Sequence, residues 1–301
     1  MISFRFHLVS LVAVFLALGL GVLTGTTVLN RGIVAQLERT TDRLSEQSGQ
    51  LREEVAQLEA RLGEWGDFGA EIQAYVVPGR LAEEEVVLVT QEGTDPAAVD
   101  AARQALELAG ARVRLDLTVR LRMALTDTGD RETIARVLEA DTEDDPGALR
   151  DRAAEMIADQ VAFGSTSGNV IDRLADEGFV TVERTADDEP GPREPEPMIV
   201  VVGGGTDETP LPPEAFLVPL VERLVLDGQS VAAAESATVL VPFVPLLREG
   251  PVSDRLVTQD NVDQVPGEVS LVLALEDLVE LGEAGHYGVK AGANGLVPSL
   301  G

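Results

Sequence analysis

The side chains able to do chemistry are few. There is no cysteine among the 301 residues, which removes disulfides, thiolate nucleophiles and cysteine metal sites. The only imidazoles are His7 and His286, so a Ser-His-Asp arrangement in the body of the chain would have to use His286, which sits in Gly285-His286-Tyr287-Gly288 and reads as a glycine-flanked turn. Soft metal ligands are thiolate, thioether and imidazole. Here they reduce to the two histidines and to Met1, Met123, Met156 and Met198, no two of them close in sequence. No metal-ligand cluster and no catalytic set emerges, and a non-enzyme without a bound cofactor is the expectation. The sharpest local pattern is Met198–Val202 (MIVVV) followed by Gly203, Gly204 and Gly205. Glycines after a buried strand can turn backbone N–H groups toward a phosphate, with a helix N-terminus behind them. The pattern is neither G-x-G-x-x-G nor a Walker loop, and a tight strand-to-helix turn explains it equally. Gly203, Gly204, Gly205, His286 and Tyr287 are the candidate ligand-binding residues.

Alternating strand and helix patterns would position those residues. Glu85–Thr90, Arg112–Leu117, Phe179–Glu183, Met198–Val202 and Ser230–Ala234 read as strands. Asp95–Ala109, Arg131–Glu139, Gly147–Asp159, Asn169–Asp176, Pro213–Leu226 and Glu268–Leu281 read as helices. This alternation predicts an α/β domain over 75–301, a Rossmann-like parallel sheet with helices on both faces. Thr185–Pro197 (TADDEPGPREPEP) reads as an exposed loop or internal linker, and Asp141–Pro146 as a second acidic loop.

The N-terminal part is different. After a short tail (1–7), Leu8–Leu29 carries no charge. At 1.5 Å per residue, roughly 22 residues span about 33 Å, enough for a hydrocarbon core. A cleaved signal peptide has a shorter apolar run and a small-residue cleavage box, so this segment (8–29) reads as an uncleaved transmembrane helix. Ala13, Ala17, Gly21 and Gly25 recur every four residues on one ridge, the small-xxx-small pattern that lets two backbones approach. Arg31, Arg39 and Arg43 lie after the span while Arg5 precedes it, an arginine count that slightly favours a cytoplasmic domain. So short a segment ahead of the span is instead typical of a signal-anchor that exports the remainder of its chain. The expectation taken forward is a single-pass protein of the cell membrane or envelope with an extracytoplasmic domain.

Behind the span, 33–65 reads as a coiled coil. Leu37, Leu44, Leu51 and Leu58 lie seven apart at d, with Val34, Thr41, Ser48, Val55 and Leu62 at a and Trp65 at the next d. Leucine at d with valine at a favours a parallel homodimer, which would also bring two membrane ridges together. An amphipathic helix lying on its own domain is the alternative. Gly63, Gly66 and Gly69 are expected to break the stalk. Charge sets the remaining limits: 52 acidic against 23 basic residues give a formal net charge of −29, and Lys290 is the only lysine. A phosphate footprint is basic, so nucleic acid is excluded as a partner.

The opening SFRFHLVSLVAVFLALGLGVLTGT, the leucine stalk, VVVGGGT, VTQDNVDQVPGEVSLVLALEDL, Gly285-His286-Tyr287-Gly288 and Leu296-Val297-Pro298 occur in one ordered set. Together they resemble the actinobacterial envelope family named for mycobacterial copper transport protein B. The resemblance implies copper transport or efflux and copper homeostasis, with copper as the cargo. It also implies an alternative, because one relative is linked to cell separation with a partner protein: a non-catalytic dimeric adaptor for envelope complexes.

Overall fold

A computed structural model describes residues 4–299, apart from 142–144, 165–168 and 186–195 and from the side chains of 26–35 and 38. The expected linker 185–197 and the loop Asp141–Pro146 thus lie largely outside the described residues, as does the side chain of Val34. The chain divides into two compact bodies, 1–66 and 67–301.

The first body is helical. Its helix, α1 (Phe4–Val76), begins within the expected tail. The membrane-length apolar stretch is Phe4–Gly25, with no part of it buried by the chain. Phe4 and Phe6 extend the apolar run toward the N-terminus across Arg5 and His7. Thr24 returns its hydroxyl to the Leu20 carbonyl at 2.6 Å, which satisfies a polar group inside an apolar helix. At Gly21 and Gly25 a Cβ would meet nothing, and Ala13 and Ala17 are exposed. Leu37, Leu44, Leu51 and Leu58 are each at least 50% exposed, and Leu62 and Trp65 are also open. The stalk is not broken where glycines predicted a break, since α1 runs through Gly63, Gly66 and Gly69 to Val76. A glycine inside a helix costs only about 1 kcal/mol against alanine. Gly69 also has a packing role in the second body, where an added Cβ would lie 3.2 Å from Val265.

In the second body the last turns of α1 are followed by β1 (Glu85–Gln91), α2 (Pro96–Leu108), β2 (Arg112–Val119), α3 (Thr128–Leu138), α4 (Pro146–Phe163) and α5 (Val170–Asp176). Then come β3 (Val180–Arg184), β4 (Met198–Val202), α6 (Leu217–Leu226), β5 (Val231–Ala234), α7 (Val244–Arg248), β6 (Val257–Gln259), α8 (Val265–Leu281) and β7 (Gly285–Tyr287). The strands form one sheet in the order β3-β2-β1-β4-β5-β6-β7. All neighbours are parallel except β2 and β3, which pair antiparallel from Val119↔Val180 to Leu115↔Arg184. The wholly parallel sheet expected from the alternation therefore carries one antiparallel edge, a common addition to such sheets.

Alternate residues of the central strands face two apolar layers. Val87, Val89, Ile199, Val201, Val231 and Ala233 pack with α3, α4, α5, α6 and α7. Val86, Leu88, Met198, Val200, Val202, Ala232 and Ala234 pack with α2, α8, Val77 and Leu81. Burial on both faces is why these strands read as continuous apolar runs. Asp caps set three helix starts: Asp95 accepts from Ala97 N at 3.1 Å, Asp127 from Gly129 N at 2.7 Å, and Asp145 from Gly147 N at 2.7 Å and Ala148 N at 3.2 Å.

Candidate functional site

Open parallel sheets bind ligands outside the carboxyl ends of their strands, where the chain leaves neighbouring strands in opposite directions. Here that point lies between β1, which leads outward to β2, and β4, which leads to β5. The protein fills it with its own residues. Thr94, after β1, pairs with Gly205, after β4, and Asp95 N donates to the Gly204 carbonyl at 3.1 Å. Asp95 also accepts a short hydrogen bond from the Ser236 hydroxyl, beyond β5.

Packing accounts for the three glycines. Gly203 N donates to Ala234 O at 2.9 Å and Gly205 N to Val241 O at 3.1 Å, so both amides are engaged within the fold. A Cβ on Gly203 would lie 2.4 Å from the Phe243 ring. Gly204 has φ +83° and a Cβ there would come 3.1 Å from Glu235 Oε2. The chain then crosses a loop and a 3-10 turn (Pro213–Ala215) before α6 begins at Leu217, so no helix N-terminus directly follows the glycines.

Behind the glycines lies a buried charge network that no sequence motif announced. Glu235 and Asp260 are both 0% exposed. Glu235 Oε2 accepts from Phe243 N at 2.7 Å and Val244 N at 3.1 Å, and its Oε1 accepts from Lys290 Nζ at 2.8 Å. Lys290 Nζ also donates to Ser236 O at 2.7 Å. Asp260 Oδ1 accepts from Val289 N at 2.6 Å, and its Oδ2 accepts from Arg248 Nη1 at 2.6 Å and Lys290 N at 3.0 Å. Arg248 Nη2 reaches Tyr287 O at 2.8 Å and Arg248 Nε reaches Thr258 Oγ1 at 2.9 Å. A buried charge is tolerable only with a partner and further hydrogen bonds, and each of these groups has both. The available signals were slight: Lys290 is the sole lysine, and Asp260 lies in the QDNVDQVPG segment.

His286 and Tyr287 do not join the glycines. They lie on β7, a strand rather than the expected turn, because parallel pairing with β6 aligns Thr258 with His286 and Gln259 with Tyr287. That is three strand positions from β4, roughly 14 Å at about 4.8 Å per strand. His286 Nδ1 is 3.0 Å from Thr258 Oγ1. Burial, with a smaller contribution from nearby Arg248, holds the His286 imidazole below its ordinary value. Burial, with Asp277 and Glu283, pushes the Tyr287 phenol up. Met123 and Met198 are buried in opposite core layers, so the sheet separates them. Among the described residues no three His, Asp or Glu side chains gather as a metal site.

The sequence of residues 1–298 matches the family model described as copper transport outer membrane protein, MctB. The chain belongs to the MctB family. Relatives named copper transporter MctB in Mycobacterium bovis and Mycobacterium tuberculosis are each 26% identical over 326 aligned positions, covering 99% of this chain and 100% of theirs. A relative of the same name in Mycobacterium leprae is 25% identical, covering 98% of this chain and 99% of its own. Membrane localisation is supported by MctB membership together with the exposed apolar helix Phe4–Gly25. The sheet of this MctB chain is open, with β3 and β7 as its edges and helices over both faces, whereas a membrane barrel closes its sheet and turns one face to lipid.

Proposed function

We propose that this chain is a single-pass envelope protein of copper efflux and homeostasis. It acts as a parallel homodimer that holds an extracytoplasmic, non-catalytic, Rossmann-like domain on a coiled-coil stalk. One observation carries this assembly: the uncovered apolar helix Phe4–Gly25 belongs to the same body as a row of exposed leucines at heptad spacing, Leu37 to Leu58. Two chains pairing along that row cover the leucines and bring the Ala13–Gly25 ridges together. The family name supplies copper as the cargo. One membrane helix satisfies its own backbone but encloses no channel, so it cannot line a pore by itself. Copper movement then requires a higher assembly or a partner protein.

The test is copper content in a deletion strain complemented with wild-type protein or with Leu44→Asp/Leu51→Asp present at equal membrane level. Deletion should raise cellular copper, wild type should restore it, and the stalk variant should not. Unchanged copper in the deletion strain would overturn the reading. A reporter fused to the C-terminus fixes the side of the membrane.

A second reading, an adaptor for envelope or cell-separation complexes, is favoured by the ligand crevice being filled with the chain's own side chains. Such an adaptor should retain a stoichiometric protein partner in pull-downs from membranes, above a stalk-deleted control. A pull-down indistinguishable from that control would count against it.

A further inference from the structure

We propose that the C-terminal segment Gly285–Pro298 is a polar latch that opens separately from the rest of the domain and uncovers Glu235 and Asp260 when it does. The segment begins as β7, a three-residue edge strand in which every residue is half-buried. Beyond it Val289, Leu296 and Val297 are 60%, 45% and 41% exposed, and Pro298 is the buried residue. Tyr287 adds a partial contact with the α2/α8 layer. Several of its remaining bonds are internal, such as Gly288 N to Gly295 O at 2.9 Å and Asn294 N to His286 O at 2.6 Å.

Apart from its pairing with β6, the segment is tied to the domain by polar groups. Arg248 holds Tyr287 O and, at 3.2 Å, Ala291 O. Asp260 accepts from Val289 N and Lys290 N, and Lys290 Nζ reaches Glu235 and Ser236 O. Elements with little buried apolar surface open at a lower free energy than the core. Opening here leaves no buried charge stranded, which would otherwise forbid it. Asp260 keeps Arg248, and Glu235 keeps the amides of Phe243 and Val244. Both carboxylates gain water, and the released Lys290 is hydrated in solvent. Gly282, at φ +70°, ends α8 just ahead of the segment and offers a hinge.

Hydrogen exchange by mass spectrometry on the full chain in detergent micelles tests the latch. Amides of 285–298 should exchange at least about tenfold faster than those of β1 and β4 and should respond less to added urea. Lys290→Met should accelerate 285–298 by about a further tenfold without touching β1 or β4, and should raise carbodiimide labelling of Glu235 and Asp260. Lys290→Arg should restore the wild-type pattern. Exchange of 285–298 in step with β1 and β4 in the wild type would overturn the latch. So would a Lys290→Met effect spread evenly over the domain. The wild-type comparison decides by itself if the methionine variant does not fold.

Discussion

Replacing Gly203 with alanine separates a glycine kept for packing from one kept for a ligand. The added Cβ would lie 2.4 Å and 2.6 Å from two atoms of the Phe243 ring and 3.1 Å from Leu217 Cδ1. Carbon atoms rest at about 3.5–4.0 Å, so the nearest overlap exceeds roughly 1 Å. Phe243 and Leu217 are both fully buried, which leaves neither free to swing into solvent. Gly203 is not among the glycines with positive φ, so the backbone tolerates alanine and the cost is steric. Overpacking of this kind costs about 1–3 kcal/mol. At about 2–4 °C per kcal/mol for a domain of this size, the midpoint should fall by about 2–12 °C in thermal unfolding of the detergent-solubilised chain. Phe243→Leu removes the clashing ring edge, so the double variant should be more stable than the sum of the single losses by at least about 1 kcal/mol in a double-mutant cycle. An unchanged midpoint for Gly203→Ala, or strict additivity with Phe243→Leu, would refute the packing account and return the glycine to a candidate ligand loop.

Three further outcomes are expected. Leu44→Ala/Leu51→Ala should convert a cross-linkable dimer to monomer in micelles, because each leucine truncated in a formed seam costs about 2–5 kcal/mol, whereas truncation of an exposed side chain costs almost nothing. His286, held below its ordinary value by burial and Arg248, binds its proton more readily in the unfolded chain. Its contribution to stability is therefore full above about pH 6.5 and is lost as the pH falls from there through the lower folded value. Urea unfolding at pH 7.5 and pH 5 should show that loss, and His286→Gln should remove this component. Asp145→Ala should destabilise the domain by about 1 kcal/mol in urea unfolding, since the carboxylate caps two amides at the start of α4.

Legibility in the sequence tracks the length and regularity of each element. β1 and β4 are buried on both faces and read as unbroken β-branched runs, and α2 announces itself by Asp95 and Pro96. β6 and β7 are three residues each, too short to show a period, and they exist because β5 and α8 place them beside a finished sheet. That tertiary placement turned Gly285-His286-Tyr287 from an expected turn into an edge strand. The antiparallel direction of β3 is likewise invisible in VTVER, since either pairing suits the same residues. Glycines were the hardest residues to read. In α1 they suggested a break that a helix with strong neighbours passes over, and after β4 they left a phosphate loop and a tight turn equally open, where the structure shows close packing against Phe243 and Glu235. Glu235, Asp260 and Arg248 were illegible because a buried ion network is assembled from the end of α7 and three separate loops, and nothing in local spacing ties position 235 to position 290.

The apolar helix lacks the groups that a channel would need. A conduit needs polar groups facing one another inside the membrane, and the Phe4–Gly25 stretch offers only Arg5 and His7 at its start and hydroxyls at Ser10 and Thr24, the latter spent on its own backbone. All 52 acidic residues lie outside that stretch, which itself carries only the charge of Arg5, so the net charge of −29 comes from the remainder of the chain. An acidic surface of this kind raises the local concentration of cations by a potential that salt screens within about 8–10 Å. On the proposed reading, such a surface would concentrate a copper cargo without holding it as soft Cu(I), which prefers thioether and imidazole to carboxylate. Selectivity for Cu(I) would then have to come from soft ligands gathered by assembly or from a partner. Ligands gathered by assembly would have to come from symmetry-related copies of His7, His286 or the methionines, and Met123 and Met198 are closed inside the core. Under the proposed function, a partner that supplies the ligands would leave this chain to pair along its exposed leucine row, hold position at the membrane and present its α/β domain.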